Sequence, residues 1–529
     1  MEKITTDISS FENLRKGRYV YVDKTDLLWR MAANKEGRQF FISRPRRFGK
    51  SLMLSTLKCL FEGKRRLFKG LKIEKRRWDW KKTYPVVMLN MAEVVAESPD
   101  GLRENLLNLV HGLVREHRLA DSPVFSEPGG SLGNFFKALA AAKGEFVVLV
   151  DEYDVPLQGF LGDQAALVRV RKLMHDFYIQ LKNNEANIRF LMLTGVTKLT
   201  KVSVFSGLNH LTDLTMKRKE YATLLGYTPK EIAAFFPRRL DALAKKNKTD
   251  RKGALELLLN WYDSYRFSNL SAARVCNPIS IGQALSCFAL QSYWVATAMA
   301  TLVMERIAAA GKTPDDFEGC TATVDELDLC EATELPAKSL MYQSGYLTIK
   351  GLSKTEVDEI GNPMLVLGAP NHEVRGAIRA GWFKSIVKVP ATEFDALVDV
   401  AKRQVAAGSV RNLIGETLYR IYAKIPPEWK IRSEADVKRH FRLFMEMLGA
   451  KVAAEEGSAF GYADAIIETK SFVWIFEFKF NKSAKAALRQ IRDKGYADQY
   501  KGEKRPVTLV GINFRTAKRN IDEPLFETL

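Results

Sequence analysis

The stretch Arg38–Gly63, "RQFFISRPRRFGKSLMLSTLKCLFEG", decides the fold class of this chain. Its residues 39–43 form a short apolar run, which predicts a buried strand. After a basic loop, apolar residues recur at helical spacing, which predicts a helix that begins near Lys50. Strand, loop and helix in this order are the context that a phosphate-binding loop requires.

The end of this loop carries the chemistry, because Gly49-Lys50-Ser51 matches the end of the pattern G-x-x-x-x-G-K-[ST]. Glycine lets backbone N–H groups close around phosphate, the lysine reaches the β- and γ-phosphates, and the serine can hold Mg²⁺. Arg44 stands where the pattern has its first glycine, so a basic helix start without phosphate binding is the alternative. The residues predicted to bind nucleotide here are Arg46, Arg47, Phe48, Gly49, Lys50 and Ser51.

A second motif, "EFVVLVDEYD" at 145–154, predicts a buried strand that ends in two acids. It fits a Walker B site, in which Asp151 orders the shell of the metal and Glu152 polarises the attacking water. The alternative is a strand that merely ends in solvated carboxylates. Because the two motifs occur together, we expect a nucleoside triphosphate to bind.

Two further strands are predicted, at "YPVVMLNMA" (84–92) and "IRFLMLTGVTK" (188–198). The repetition of strand and helix favours a parallel sheet with ligand at the carboxyl ends of its strands, where Thr194 is a candidate sensor of the γ-phosphate. The additional strand between the Walker motifs is typical of AAA-like domains. Lys198, Lys201 and Arg218 are candidates for a trans-acting cation, with ordinary surface cations as the alternative.

From residue 228 to about 387 the pattern is mainly helical. Thr228, Pro229 and Glu231 predict a capped helix, which we interpret as the start of a lid. "LPAKSLMYQSGYLTIKG" (335–351) and "PMLVLGAPNHEVRGAI" (363–378) predict a helix, a two-stranded wing and another helix. Such wings bind DNA in some proteins and pack domains together in others. The segment lacks the charge pattern of a recognition helix, which favours packing.

Near the C-terminus, "FVWIFEFKF" (472–480) predicts a strand whose period of two places Glu477 and Lys479 on the face opposite the aromatic residues. A strand containing Asp464 precedes it in "GYADAIIET" (461–469), and predicted helices flank the pair. Helix, strand with Asp, strand with Glu-x-Lys and helix is the order of the PD-(D/E)XK nuclease core.

That grouping suits phosphodiester cleavage. Asp464 and Glu477 can hold Mg²⁺ against the scissile phosphate, while Lys479 can position or deprotonate water and offset transition-state charge. Glu434 is a candidate further ligand or simply a carboxylate at a helix N-terminus. The alternative for Glu477 and Lys479 is an ion pair on a half-exposed strand.

The composition sets outer limits. The net charge is +19, and residues 44–82 hold fifteen Lys/Arg against three acids, which makes 15 − 3 = +12; this run is either a solvated face or a contact for phosphate or nucleic acid. Five scattered cysteines, without a C-x-x-C pair, argue against a disulfide framework or a zinc set and favour small buried side chains. No apolar run approaches the roughly 18 residues of a membrane span, and no signal peptide is recognisable, so we expect a cytoplasmic protein.

Over nearly its whole length, the chain resembles a bacterial family that joins an AAA-ATPase-like domain to a C-terminal PD-(D/E)XK nuclease-superfamily domain. The resemblance rests on "YVYVDKTDLL", "FISRPRRFGKSLMLSTL", "VVLVDEYDVPL", "LTGVTKLTKVSVFSGLNHLTDLT", "LLGYTPKEI", "WYDSYRFS", "APNHEVRGAI", "GYADAIIE" and "IFEFKFNKSAKAALRQI". It implies that R-P-R-R-F-G-K-S is the usual loop of the family. It also implies that Lys50 and Ser51 bind nucleotide and Mg²⁺ and that Asp151 and Glu152 are the Walker B pair. In the C-terminal domain it implies that Asp464, Glu477 and Lys479 form the nuclease triad, with supporting roles for Gln490 and Tyr496.

We therefore predict an α/β protein in three parts: an AAA-like P-loop NTPase domain with a parallel sheet at 1–227, a helical lid and winged-helix-like region at 228–387, and an α/β PD-(D/E)XK nuclease-like domain at 388–529 with its core at about 430–515. The predicted function is ATP binding and hydrolysis that regulates metal-dependent DNA cleavage, with ATP and Mg²⁺ as cofactors and Mn²⁺ possible at the nuclease site. The alternative is a non-catalytic ATP-dependent switch that binds nucleic acid or a protein partner. A homo-oligomer is also compatible with the sequence.

Overall fold

The computed structural model describes residues 1–33, 37–119, 127–198, 211–293, 298–328, 336–387, 389–426, 431–453, 457–458 and 461–529. The chain divides into two compact units. The first comprises Met1–Trp294 and Asp315–Val374, and the second comprises Val295–Pro314 and Arg375–Leu529.

Helices and strands are numbered along the chain. The helices are α1 Phe11–Lys16, α2 Thr25–Ala32, α3 Lys50–Phe61, α4 Pro99–Glu116, α5 Pro128–Lys143, α6 Val155–Gln158, α7 Gln164–Asn183, α8 Pro229–Phe235, α9 Pro237–Lys246, α10 Arg251–Tyr262, α11 Pro278–Cys287, α12 Ala298–Ala309, α13 Val324–Asp328, α14 Ala337–Gln343, α15 His372–Ile386, α16 Ala391–Ala406, α17 Val410–Asn412, α18 Tyr419–Ala423, α19 Glu434–Met447 and α20 Ala484–Asp493. Single 3-10 turns lie at Arg65–Phe68, Lys72–Lys75, Met91–Val94, Glu185–Asn187, Lys219–Tyr221, Pro314–Phe317 and Asp498–Tyr500, and a π-helix lies at Leu413–Leu418.

The strands are β1 Gln39–Ser43, β2 Val86–Asn90, β3 Phe146–Asp151, β4 Ile188–Gly195, β5 Thr212–Asp213, β6 Thr321–Ala322, β7 Thr348–Val357, β8 Pro363–Gly368, β9 Val452–Ala453, β10 Gly457–Ser458, β11 Gly461–Tyr462, β12 Ala465–Glu468, β13 Val473–Phe480, β14 Val507–Arg515, β15 Asn520–Ile521 and β16 Leu525–Thr528.

A parallel sheet forms the centre of the first unit. Its strand order is β2-β3-β4-β1-β5, and every neighbouring pair is parallel. Strands β1 and β3 are buried along their whole length, which explains their continuous apolar sequences. The predicted parallel sheet is confirmed, and β4 separates β1 from β3. The phosphate-binding loop and the two acids therefore leave the sheet at the same edge.

A helical region follows this sheet along the chain. Helix α8 begins with the predicted capping box, in which the Glu231 N–H donates to Thr228 Oγ1 and the Thr228 N–H donates to Glu231 Oε2. Apolar side chains of α8 to α11 share one buried cluster, to which Val22 also belongs. The predicted helix, hairpin and helix are present as α14, β7, β8 and α15, and β6 adds a third strand beside β8.

The second unit is built around a mixed sheet with the order β15-β14-β13-β12-β9, and β16 also pairs with β14. Strand β13 runs antiparallel to β12 and parallel to β14. On one face of β13, the rings of Phe476 and Phe478 lie 4.7 and 4.9 Å from that of Phe441 in α19. On the other face, Ile475 joins Ile491 of α20 in a buried cluster. Because both faces are covered, the alternative of a half-exposed strand is wrong.

The predicted fold class is thus confirmed, from the parallel sheet through the helical middle to the C-terminal mixed sheet. The limits drawn at residues 227 and 387 stay predictions. Within the described residues, none of the helices combines the length and the apolar character that a membrane crossing requires.

Candidate functional sites

A cavity of about 250 Å³ opens over the loop between β1 and α3. The start of α3 is shaped by Gly49, whose φ of +93° suits glycine and turns the backbone into the helix. The amino end of α3 supplies unpaired N–H groups and the positive end of the helix dipole. The cavity is lined by all six residues of the loop that are predicted to bind nucleotide, and by one acid of the predicted Walker B pair. The loop residues are Arg46, Arg47, Phe48, Gly49, Lys50 and Ser51, and the acid is Glu152.

Lys50 is buried inside the loop. Its Nζ donates to the carbonyl oxygens of Arg44 and Pro45 at 2.9 and 3.1 Å. Burial lowers the pKa of Lys50, and the nearby acids Asp151 and Glu152 oppose that shift. The ammonium is therefore held among carbonyl groups that a bound phosphate can replace as its partner.

Arg44 and Phe48 belong to the core that supports the loop. The Arg44 guanidinium donates to the carbonyls of Ser43 and Thr215 and lies 4.3 Å from the ring of Phe267. The ring of Phe48 packs 5.2 Å from the same Phe267 ring. Arg44 thus fixes the loop to the sheet, and Phe48 can offer a nucleotide only its backbone.

Two acids mark the end of β3. Asp151 is buried and accepts hydrogen bonds from Thr194 Oγ1 at 2.6 Å and from the Glu152 N–H at 3.1 Å. Glu152 has a φ of +53°, an uncommon conformation for a residue with a side chain, and it lines the cavity. Burial raises the pKa of Glu152. The hydroxyl group of the predicted sensor Thr194 therefore contacts Asp151, and this hydrogen bond orients the Asp151 carboxylate.

Asp154 is a further buried acid that the sequence did not single out. Its carboxylate accepts from the Val196 N–H at 3.2 Å, the Thr197 N–H at 2.8 Å, the Thr197 Oγ1 at 2.6 Å and Gln158 Nε2 at 3.0 Å. These bonds tie the end of β3 to the end of β4. The only sequence signal was a third acid in "DEYD".

The far side of the cavity comes from segments to which the sequence analysis gave no role in the site; most belong to the predicted ATPase-like domain, and residues 278–279 belong to the predicted lid region. They include residues 5–9, 20–22, 224–227 and 278–279, together with Lys24. The Lys24 ammonium donates to both carboxylate oxygens of Glu231, at 2.7 and 2.6 Å, and to the carbonyl of Thr223 at 2.8 Å. The helical region therefore contributes residues 278–279 to the wall of this cavity.

The candidate trans-acting cations have different surroundings. Lys198 is a buried residue, not a surface cation: its Nζ lies 2.8 Å from Asp213 Oδ2 and also pairs with Asp328. Arg218 is exposed, with Glu220 at 3.9 Å. Lys201 lies outside the described residues.

The second site is in the C-terminal unit, where Asp464, Glu477 and Lys479 come together. Asp464 directly precedes β12, and its Oδ2 accepts from the Phe478 N–H at 2.8 Å. The Lys479 Nζ lies 2.9 Å from Glu477 Oε1 and donates to the Phe478 carbonyl at 2.9 Å. The predicted alternation is confirmed, but the pair is buried, since Glu477 is only 1% exposed.

Glu477 has an oxygen that fits a cation. Its Oε2 is buried and has no hydrogen-bond partner, and burial, together with the charge of Asp464, raises its pKa to about 7. A buried unpaired carboxylate oxygen is costly, and a divalent cation can compensate it. The described residues contain no group of three His, Cys, Asp or Glu arranged for a metal. Two carboxylates are still enough for Mg²⁺, which keeps several waters.

Lys438 of α19 is the residue of this site that the sequence reasoning missed. Its Nζ lies 2.5 Å from Asp464 Oδ1 and 3.2 Å from Glu434 Oε1. Burial disfavours this ammonium, but its hydrogen bonds and charge interactions with the two acids outweigh burial and raise its pKa. Glu434 Oε1 is also 3.9 Å from the Lys479 Nζ, so this carboxylate lies beside the ammonium groups of both lysines. The available signal was the four-residue spacing from Glu434.

The two predicted supporting residues lie farther along the chain. Tyr496 is buried in an apolar cluster with Ile491 and Tyr500, and Gln490 is half-buried in α20. Among the described contacts, neither side chain donates to Asp464, Glu477 or Lys479. Their supporting role stays a prediction.

Together, the fold and the two sites define a P-loop ATPase-type unit followed by a nuclease-type unit. Residues 5–205 match the family model of a predicted AAA-ATPase, and residues 432–524 match the PD-(D/E)XK nuclease superfamily. A relative from Azotobacter chroococcum mcd 1, described as an uncharacterized protein in the vnfD 5' region, is 31% identical over 542 residues. The aligned region covers 100% of this chain and 99% of the relative. The chain belongs to this bacterial family of AAA-ATPase-like proteins with a C-terminal PD-(D/E)XK nuclease-superfamily domain.

Solved structures give weaker likenesses. The Aeropyrum pernix ORC1 protein in complex with DNA has 10% identity and a TM-score of 0.25, over 71% of this chain and 93% of that chain. The Aeropyrum pernix ORC2 protein in ADPNP–ADP complexes has 11% identity and a TM-score of 0.29, over 83% and 91%. At these TM-scores the likenesses support no inference about this chain.

Proposed function

We propose that this is a cytoplasmic protein that binds and hydrolyses ATP and cleaves DNA with a divalent metal, and that its nucleotide state regulates cleavage. The observation that carries the proposal is the buried cluster of Asp464, Glu477 and Lys479, in which one oxygen of Glu477 has no partner. A strand that only needed a core would not retain such a group, because burying an unpaired carboxylate destabilises the fold.

At the first site, the residues suit phosphate chemistry. Lys50 can exchange its two carbonyl partners for the β- and γ-phosphates, and the amino end of α3 can donate N–H groups to them. Ser51 and Asp151 would hold Mg²⁺, which neutralises charge on the phosphates. Glu152 lies at the cavity wall, where it can orient a water for attack on the γ-phosphate.

At the second site, Asp464 and Glu477 would hold Mg²⁺ or Mn²⁺, which polarises the scissile phosphate and acidifies water. The Phe478 N–H orients the Asp464 carboxylate through its hydrogen bond. Lys479 donates to Glu477 and can donate to a phosphate oxygen as negative charge develops there. Both roles need the buried, ordered positions that these groups have.

A non-catalytic switch is the second candidate, and Lys438 is the observation that favours it. Its ammonium already neutralises Asp464 and Glu434, so this surface can be stable without a metal. In that case the nuclease-type unit would bind nucleic acid or a protein partner without cutting it.

The test is cleavage of supercoiled plasmid and of single-stranded DNA by purified full-length protein, with Mg²⁺, Mn²⁺ or EDTA. Lys479→Ala is the test variant. Lys470→Ala is the matched control, because Lys470 is an exposed lysine in the turn between β12 and β13.

We expect metal-dependent cutting that is lost in Lys479→Ala and retained in the control. Cutting that survives Lys479→Ala would contradict the nuclease assignment. No cutting by a preparation that still hydrolyses ATP would favour the switch instead.

A further inference from the structure

A strongly basic segment follows α3 in the ATPase-type unit. Residues 64–82 contain ten Lys/Arg and two acids, which makes 10 − 2 = +8 out of the net +19 of the whole chain. The neighbouring loop and α3 account for the other cations of the basic run seen in the sequence. This segment plays no part in either site described above.

The segment is ordered by its apolar residues, because Phe68, Leu71 and Ile73 are buried beneath it. Arg15 of α1 donates to the carbonyls of Leu67 and Lys69, both at 2.8 Å. Further bonds reach it from the N-terminal part of the chain: the Lys72 N–H donates to Asp23 and the Ile73 N–H donates to Thr25. The cations are thus mounted on a fixed backbone, which lowers the entropy lost when they bind a partner.

Most of these cations have no acidic partner. Lys64 pairs with Glu12 and Glu62, and Arg76 pairs with Asp26. Within the described part of the segment, eight exposed cations have no carboxylate within ion-pair distance. They are Arg65, Arg66, Lys69, Lys72, Lys75, Arg77, Lys81 and Lys82, which we call the basic surface.

The basic surface is separate from the nucleotide cavity. It begins after the carboxyl end of α3, whereas the phosphate-binding loop is at the amino end of that helix. Twelve residues of helix correspond to about 18 Å. Nucleotide bound at Lys50 therefore does not occupy this surface.

The chemistry of the surface favours a phosphate backbone over a lipid membrane. Surfaces that bind membranes combine cations with exposed apolar side chains. Between 64 and 82, the apolar side chains are buried or half-buried. An array of exposed Lys and Arg on a fixed backbone is the pattern of sequence-independent nucleic-acid contact.

We propose that the basic surface binds the phosphate backbone of nucleic acid, so that the ATPase-type unit holds the polynucleotide independently of its base sequence. This binding is also independent of the nuclease site, since the surface contains none of the residues of that site.

The test is fluorescence anisotropy of a labelled DNA duplex of arbitrary sequence, titrated with full-length protein in EDTA over a series of salt concentrations. The test variant combines Arg66→Gln, Lys69→Gln, Lys75→Gln and Lys81→Gln. The control removes the same charge elsewhere on the first unit, where the lysines are also exposed and lack ion pairs, through Lys230→Gln, Lys245→Gln, Lys246→Gln and Lys248→Gln.

We expect the test variant to bind at least about tenfold more weakly at about 0.1 M salt, and the slope of log affinity against log salt to fall by about two to four. The control is expected to change affinity less than about twofold. Equal losses in both variants, or unchanged binding in the test variant, would overturn the proposal. So would a test variant that keeps DNA binding but loses binding to vesicles of anionic lipid.

Lysine acetylation followed by mass spectrometry tests the wild-type protein without any substitution. DNA is expected to protect Lys69, Lys75, Lys81 and Lys82 and to leave Lys245 and Lys246 reactive. Equal reactivity of the two groups with and without DNA would overturn the proposal. Both experiments are done in EDTA, without a divalent metal. Their results therefore do not depend on whether the nuclease-type unit cuts DNA.

Discussion

Metal binding at the second site is expected to strengthen as the pH rises from 6 to 8. Burial and the neighbouring Asp464 raise the pKa of Glu477 to about 7, so its carboxyl group is mainly protonated at pH 6. A carboxyl group must lose its proton before it can bind a cation. Protons therefore compete with the metal below pH 7 and cease to compete above it. In the metal-free protein, the pKa of Glu477 is higher in the folded state than its ordinary value of 4.5 in the unfolded chain. The stability of the second unit is therefore expected to fall as the pH rises from 4.5 to about 7, because Glu477 loses its proton in the buried site.

The size of the expected change in metal affinity depends on the fraction of Glu477 that is ionised at each pH. With a pKa of about 7, roughly one molecule in eleven is ionised at pH 6 and roughly ten in eleven at pH 8. Apparent affinity for Mn²⁺ is therefore expected to rise about tenfold, and binding at pH 6 is expected to release about one proton. Glu477→Gln removes both the ligand and the titration, so the remaining weak binding is expected to lose this pH dependence.

Isothermal titration calorimetry with Mn²⁺, in buffers of different ionisation enthalpy and without DNA, measures affinity and proton release together. Glu468→Gln is the matched control, because Glu468 is an exposed carboxylate on the same hairpin. We expect the control to retain the tenfold rise. Equal Mn²⁺ affinity at pH 6 and pH 8 in the wild type, with no proton released, would refute the reasoning about Glu477.

Three further substitutions have expected outcomes. Lys438→Met removes the ammonium next to Asp464 and is expected to tighten Mn²⁺ binding by about tenfold in the same calorimetry; weaker binding would show that Lys438 helps to assemble the site. Asp154→Asn replaces a carboxylate oxygen that accepts buried hydrogen bonds with an NH₂ group, which faces other donors. It is expected to lower the free energy of unfolding of the first unit by about 2–4 kcal/mol, measured by hydrogen exchange of β3 and β4. Unchanged exchange would contradict the structural role of Asp154. Phe48→Leu is expected to lower stability by about 1–2 kcal/mol in denaturant titrations, while binding of an ATP analogue changes less than about threefold; a large loss of binding without a loss of stability would mean that the ring contacts nucleotide.

The sequence predicted the strands that carry both sites, because burial on two faces leaves a plain local signal. The predicted strand at Gln39–Ser43 matches β1, and the one that starts at Phe146 matches β3 to within one residue. Alternation also placed Glu477 and Lys479 together correctly, since the period of a strand is fixed by backbone geometry. What these patterns did not reveal was that the pair is buried, because that depends on helices packed from elsewhere in the chain.

The residues that sequence reasoning missed or placed wrongly owe their surroundings to distant parts of the chain. The partners of Lys198 are 15 and 130 residues away, so nothing near it in sequence indicates a buried ion pair. Lys438 reaches Asp464 from another element. Phe48 belongs to a motif that predicts ligand contact, yet its side chain packs beneath the loop. Local motifs thus supplied the candidate residues, whereas tertiary contacts decided which of their side chains are available at each site.

In the proposed function, nucleotide bound at Lys50 controls cleavage at Asp464, Glu477 and Lys479. The most direct test of this regulation is the rate of plasmid cleavage with Mn²⁺, with and without ATP, for the wild type and for Lys50→Ala. We expect ATP to change the rate in the wild type and to have no effect in Lys50→Ala, which retains the nuclease residues. Equal rates with and without ATP in the wild type, under conditions in which ATP is hydrolysed, would contradict this regulation.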